Sequence, residues 1–193
     1  MYIIMTGAPG SKWSDVFKNI HKSPDIDQTD YTEERTYWHD AETPGTKQLS
    51  HTGAYWDPGM EFETDNWDGP FSGTGKRIIK AHTFAHQLNT LKDKGYPIIM
   101  VYRNDYECYV WWQLCGGFNI TYPNYQYFKD LDHMWQHIQD ENKDIMNFVK
   151  NNSARITSPK NNIELCKELN IKYPKHKVES NYIKKDIKVY VYK

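Results

Sequence analysis

Long apolar runs are missing from this chain of 193 residues. A helix that crosses a bilayer needs about 20 consecutive apolar residues, and no stretch here comes close, so no membrane partner is expected. The opening MYIIMTGAPG has no basic flank, and its apolar part is too short for a secretory signal. Cysteine is scarce too. Cys108, Cys115 and Cys166 are odd in number and form no CxxC pair, which argues against a disulfide framework and fits a reducing, cytoplasmic setting. Charge of one sign is also lacking. The net charge is -1, so no basic field marks the chain as a nucleic-acid binder. There is no internal repeat and no low-complexity tail.

The sequence that remains is that of a globular α/β protein. Apolar content is 38% and charged content 25%, and the length suits a single domain with its own core. Residues Tyr2 to Met5 read as a buried strand that runs into a Gly-rich loop, and Trp13 to Ile20 as a short helix. Arg77 to Ala81 and Pro97 to Tyr102 read as two further strands. The second is apolar throughout, as in parallel sheets covered on both faces. Thr83 to Lys94, Asp105 to Leu114, Tyr125 to Asn151 and Ile163 to Leu169 have helical spacing, and Gly95 is a plausible stop. Ile187 to Tyr192 alternates like a closing strand at a sheet edge. Alternating strands and helices imply a three-layer fold with a central, mainly parallel sheet. Residues 21 to 76, rich in Pro, Gly, Asp and Thr, read as an insertion on the substrate side. Trp38, Tyr55, Trp56 and Trp67 in that region would either wall an acceptor pocket or fix a long loop.

Three places carry chemistry. In Gly7, Ala8, Pro9, Gly10, Ser11, Lys12, Trp13 and Ser14, the glycines free the backbone, so several N–H groups can face one anion. Lys12 adds a positive charge, Ser11 and Ser14 add hydroxyls, and the next helix adds its dipole. The loop departs from GxxxxGK[ST], because Trp13 separates Lys12 from Ser14. Lys80 and His82 lie at the end of the second strand. Residues i and i+2 share a strand face, and a neighbouring cation favours the neutral imidazole that can take a proton. Arg103 ends the third strand, where its guanidinium would either grip a phosphate or pair with Asp105 or Glu107.

Taken in order, these pieces resemble the PAPS-dependent sulfotransferase family. GAPGSKWS resembles the family's GxPKSGTT-like 5′-phosphosulfate loop. KRIIKAH resembles the strand ending in Lys-Thr-His, and PIIMVYRND the strand leading into the 3′-phosphate Arg-Asn-Pro motif. The resemblance covers about residues 1 to 117, with an unmatched middle. It implies transfer of a sulfuryl group from 3′-phosphoadenosine 5′-phosphosulfate (PAPS) to a hydroxyl or amine of a small-molecule or carbohydrate acceptor, with adenosine 3′,5′-bisphosphate (PAP) as product and no metal. His82 matches the catalytic base and Lys80 its companion lysine. Ser11, Lys12 and Ser14, with nearby backbone N–H groups, would hold the 5′-phosphosulfate, and Arg103 matches the 3′-phosphate arginine. The chain departs from the family in having Gly10 in place of the loop's Lys or Arg, Lys12 in place of its Gly, and Trp111 in place of a serine after the arginine. The family's C-terminal RKGxxG stretch is absent. Two alternatives stay open. One is a P-loop kinase, with Asp105 near Mg2+ and the run from Ser72 to Lys76 as a second glycine-rich loop. The other is a non-catalytic relative.

Overall fold

The computed structural model describes residues 1–33, 37–39, 49–51, 55–58, 66–114, 130–157, 162–175 and 186–193. The elements are strand β1 (Tyr2–Gly7), helix α1 (Trp13–His21), strands β2 (Tyr37–His39), β3 (Leu49–His51) and β4 (Arg77–Lys80), a 3-10 helix (His82–Gln87), helix α2 (Leu88–Asp93), strand β5 (Ile98–Tyr102), helices α3 (Asp105–Leu114) and α4 (Leu131–Asn151), strand β6 (Arg155–Thr157), helix α5 (Ile163–Glu168) and strand β7 (Lys188–Tyr192). The main sheet has the order β4-β1-β5-β7-β6, and β2 pairs antiparallel with β3 in a sheet of their own. β1 runs parallel to both β4 and β5, with Met5 opposite Lys80 on one side and Ile99 on the other. The chain is therefore an α/β protein with a five-stranded mixed sheet and flanking helices.

Strand period sorts the core into two faces. Ile3, Met5, Ile78, Ile99, Val101, Val189 and Val191 pack with Val16, Phe17 and Ile20 of α1 and Leu165 and Cys166 of α5. Ile4, Ile79, Ile98, Met100 and Tyr190 pack on the other side with Leu88 and Leu91 of α2 and Ile145 and Phe148 of α4. Successive strand residues point to opposite faces, so a run such as IIMVY can be apolar at every position only when helices cover both. α1 buries Trp13, Val16, Phe17 and Ile20, the stripe expected of a helix facing one side of a sheet.

Several elements differ from expectation. The closing strand is not at an edge: β7 lies between β5 and β6 and runs antiparallel to both. Its Lys-Val-Tyr-Val-Tyr pattern looks half-polar, yet Tyr190 packs into the second core and is 8% exposed. The sheet is accordingly mixed rather than mainly parallel, and β6, only three residues long, carries too little pattern to be read. The expected helix from Thr83 is split, beginning as the 3-10 helix and becoming α2 at Leu88. Gly95, with φ 74°, follows α2 as a helix stop should. α4 starts at Leu131, where the Asp130 Oδ1 accepts a bond from the His133 N–H at 2.7 Å. The expected start at Tyr125 lies outside the described residues.

The described parts of the segment from 21 to 76 are tied down by buried acids. Asp30 bonds the His21 Nε2 at 3.0 Å and accepts the Trp56 N–H at 3.1 Å. Asp27 accepts the Thr29 N–H and hydroxyl and the Arg77 Nε. Burial raises the Asp27 pKa, but the Thr29 bonds and the Arg77 charge outweigh it and leave the carboxyl below its usual 3.8. A depressed carboxyl stabilises the fold above its unfolded-state pKa, and that stability is lost as pH falls through the folded value. Asp27→Asn should therefore weaken the fall in Tm on acidification below about pH 4, which melting curves across that range would measure. A wild-type acid limb in the variant would remove Asp27 from this role.

The run from Ser72 to Lys76 is a connection, as expected for a loop. The Ser72 and Gly73 N–H groups donate to the Thr29 Oγ1, and the Lys76 Nζ caps the carbonyls of Leu169 and Asn170. A cavity of about 700 Å³ beside it, lined by Pro24, Asp25, Lys76 and Asn170 among others, lies at the amino end of β4, away from His82. Among the described residues, no helix is long and apolar enough to cross a membrane.

Candidate functional site

Parallel strands deliver their carboxyl ends to one sheet edge, where α/β proteins open their sites. Here the edge collects the loop after β1, the Lys80–His82 turn after β4 and Arg103 after β5, on three neighbouring strands. Thr6 fastens two of these together: its hydroxyl donates to the His82 carbonyl at 2.9 Å.

The loop is tight. A Cβ on Gly7 would come within 2.7 Å of the Ser11 Oγ and 2.9 Å of the Val101 carbonyl oxygen. Gly10 has φ 79°, and a Cβ there would lie 2.0 Å from the Cys108 carbonyl oxygen. Lys12 has φ 65°, the left-handed region, at the start of α1. A side chain held in that region costs about 1–2 kcal/mol, and such strain gathers where function demands a particular backbone. The Ser11 N–H returns to the Ala8 carbonyl, and the Asp15 N–H to that of Lys12. The Ser11 Oγ is buried and has no hydrogen-bond partner among the described residues. The Lys12 side chain is also buried, with its Nζ 3.6 Å from the centre of the Trp111 ring. Trp111 thus stacks on the loop's cation. Ala8 joins Cys108 and Trp112 of α3 in a small core, while Trp13 belongs to the core under α1.

Lys80 and His82 do not share a face, contrary to expectation. β4 ends at Lys80 and the backbone turns into the 3-10 helix, so strand alternation stops short of His82. Lys80 faces α1, with its Nζ 5.4 Å from the Trp13 ring centre, 5.2 Å from that of Phe17 and 3.1 Å from the Asp57 Oδ2. His82, buried at 5% exposure, turns to α4 and places its Nδ1 3.0 Å from the Glu141 Oε1. Lys80 lowers the His82 pKa, as expected of a neighbouring cation, but the net shift runs the other way. Burial lowers the His82 pKa, but the charge and hydrogen bond of Glu141, helped by Asp57, outweigh burial and the opposing Lys80 and raise it above 6.5. A His whose Nδ1–H is held by a buried carboxylate has a fixed tautomer with Nε2 as its basic atom, the orienting logic of a His–acid pair.

Arg103 is 1% exposed and engaged on three sides. Its Nε donates to the Asp186 Oδ2 at 2.8 Å, one terminal nitrogen to the Glu107 Oε2 at 3.0 Å, and the other to the Gly10 carbonyl at 3.3 Å. The pairing with Glu107 offered as an alternative is thus formed, and the same guanidinium clamps the loop. Asn142 of α4 secures this corner through the Arg103 carbonyl and the Asp105 Oδ1, which fixes Asp105 in the turn. Burial pushes the Cys108 thiol up to about 12 and the Cys166 thiol to about 11, so neither supplies a thiolate near neutrality.

Motif reading missed Glu141, Asp57, Asp186 and the seat of Trp111. Only Glu141 left a signal: it is a carboxylate on the apolar stripe of α4, between Ile138 and Ile145. Asp57 and Asp186 come from distant segments with no pattern of their own. Of the candidate pocket rings, Tyr55 packs on Phe17 and His21, and Trp67 on Tyr2 and Phe84. The side chain of Trp38 lies outside the described residues. No protein-family model, curated protein or solved structure matches the chain.

Proposed function

We propose that the chain is a nucleotide-dependent group transferase of the sulfotransferase type, which moves a sulfuryl group from PAPS to a small-molecule or carbohydrate acceptor, with His82 as the general base. The observation that carries this reading is the meeting, on three adjacent parallel strands, of a strained Gly-rich loop, a carboxylate-oriented His and a buried Arg. The left-handed backbone of Lys12 adds to it, since the family's loop has Gly at that position.

The residues fit the two ends of the donor unequally. The buried Ser11 hydroxyl and the N–H groups opening α1 suit the 5′ end, because a helix start after a glycine loop favours an anion. The Arg103 donors already serve Glu107, Asp186 and Gly10, so this arginine contributes to donor binding chiefly by holding the loop. When bound, PAPS supplies the sulfuryl group. The His82 Nε2 accepts the acceptor's proton while Glu141 holds Nδ1, and Lys12 and the loop N–H groups offset negative charge at the loop. A second reading, a relative that binds but does not transfer, is favoured by one observation: Trp111 and the two carboxylates occupy the two cations a donor would call on.

Melting curves with adenosine 3′,5′-bisphosphate and, separately, with Mg-ATP test the reading. Ligand at 100 times its Kd should add about 2.7 kcal/mol. A rise with the bisphosphate alone is expected. A rise with Mg-ATP alone would indicate a kinase, and no rise with either would remove the donor site. Arg103→Ala should lower stability by about 2–3 kcal/mol and also weaken bisphosphate binding. Breaking a fully buried pair costs about 3–5 kcal/mol, but the carboxylates left behind here are partly in water. Denaturant curves and titration calorimetry measure the two effects, and unchanged affinity would free the loop from dependence on Arg103.

A further inference from the structure

We propose that His86, His137 and Glu141 form a binding site for one divalent transition-metal ion of the zinc class. One ligand atom from each of the three residues lies within 4.8 Å of the other two. His137 and Glu141 are four residues apart and so stand one above the other on α4. His86 reaches them from the 3-10 helix, which packs against α4. Two imidazoles and one carboxylate are a donor set that zinc takes in open, three-ligand sites, whereas Mg2+ and Ca2+ prefer oxygen.

Two further observations point to a ligand. The Glu141 side chain is fully buried, and its Oε1 is taken by His82, but its Oε2 has no hydrogen-bond partner among the described residues. A buried carboxylate oxygen without a partner is costly, and a cation beside it removes that cost. The His86 Nδ1 lies 2.7 Å from the Asp144 Oδ2, the kind of outer carboxylate that fixes a ligating imidazole's tautomer and turns its other nitrogen to the metal. A further imidazole is close at hand, since the His133 Nε2 is 3.0 Å from the His137 Nε2.

The three residues grade from exposed His86 through half-buried His137 to buried Glu141, so an ion entering from solvent meets them in that order. Tetrahedral zinc with bonds of about 2.0–2.1 Å needs donor atoms about 3.3 Å apart. Turns about the side-chain torsions of His86 and His137 close the remaining distance. The site does not rest on the transferase reading, although Glu141 links it to His82.

Titration of the whole chain with zinc against a chromophoric chelator at neutral pH tests the proposal. One zinc per chain with submicromolar Kd is expected, with Mg2+ unable to compete. Asp144→Asn should weaken binding about 10–100-fold, and His86→Ala and His137→Ala by more than that. His86 is exposed, so its variant should fold, and circular dichroism verifies this. Cobalt in place of zinc should give the intense visible absorption of a tetrahedral site, lost in His86→Ala. Failure to bind zinc, wild-type affinity in a folded His86→Ala, or an octahedral cobalt spectrum would each overturn the site.

Discussion

His82→Ala is expected to lower sulfuryl transfer about 10²–10⁴-fold, the usual worth of a positioned general base, while bisphosphate affinity stays at the wild-type value. The imidazole bonds Glu141 on α4, whereas the loop that would bind the donor's 5′ end is organised by Gly7, Gly10 and Ser11. Alanine also leaves Glu141 buried without its partner, and breaking such a pair costs about 3–5 kcal/mol, so a fall in rate alone would be ambiguous. His82→Gln combined with Glu141→Gln removes the base and the stranded charge together. That double variant should melt close to the wild type, bind the bisphosphate and still fail to transfer. A folded double variant with wild-type turnover would dismiss His82 as the base. Equal loss of binding and turnover in every His82 variant would make the residue structural.

Gly10→Ala should cost about 2–5 kcal/mol, combining the left-handed backbone penalty with overpacking. The added methyl would lie 2.0 Å from the Cys108 carbonyl oxygen, which is α3 backbone and cannot rotate aside. The loop would have to lift and take the Gly10 carbonyl from Arg103. For a chain of this size, 1 kcal/mol moves Tm by about 2–4 °C, so a drop on the order of 10 °C is expected. Gly95→Ala supplies the control. Gly95 has a similar φ of 74° but no atom within 4 Å of the added Cβ, so only the backbone penalty of about 1–2 kcal/mol applies. Denaturant melts of the two variants should differ by the overpacking alone. Equal losses would show that α3 does not press on the loop.

Periodicity and composition carried the sheet's centre a long way. The apolar runs at the start of the chain and before Arg103 are β1 and β5, and RIIKA contains β4, because fully buried strands leave few other readings for such runs. α1 and α3 begin where the sequence put them, and Gly95 ends α2. β7 and β6 were not legible in place. Strand order depends on which faces the helices leave open, and a three-residue strand has too little period to register.

The chain's own residues determined that a Gly-rich turn would follow β1, that His82 and Arg103 would stand at strand ends, and that the run IIMV before Tyr102 would be buried. These follow from local backbone freedom and from the strand's period of two, which any short segment carries within itself. Tertiary structure alone decided the partners: Glu141 for His82, Asp57 for Lys80, Asp186 for Arg103 and Trp111 for Lys12. Such pairings join residues up to 99 positions apart, as the Lys12–Trp111 contact does, and their charges are satisfied only once the fold brings those distant segments together.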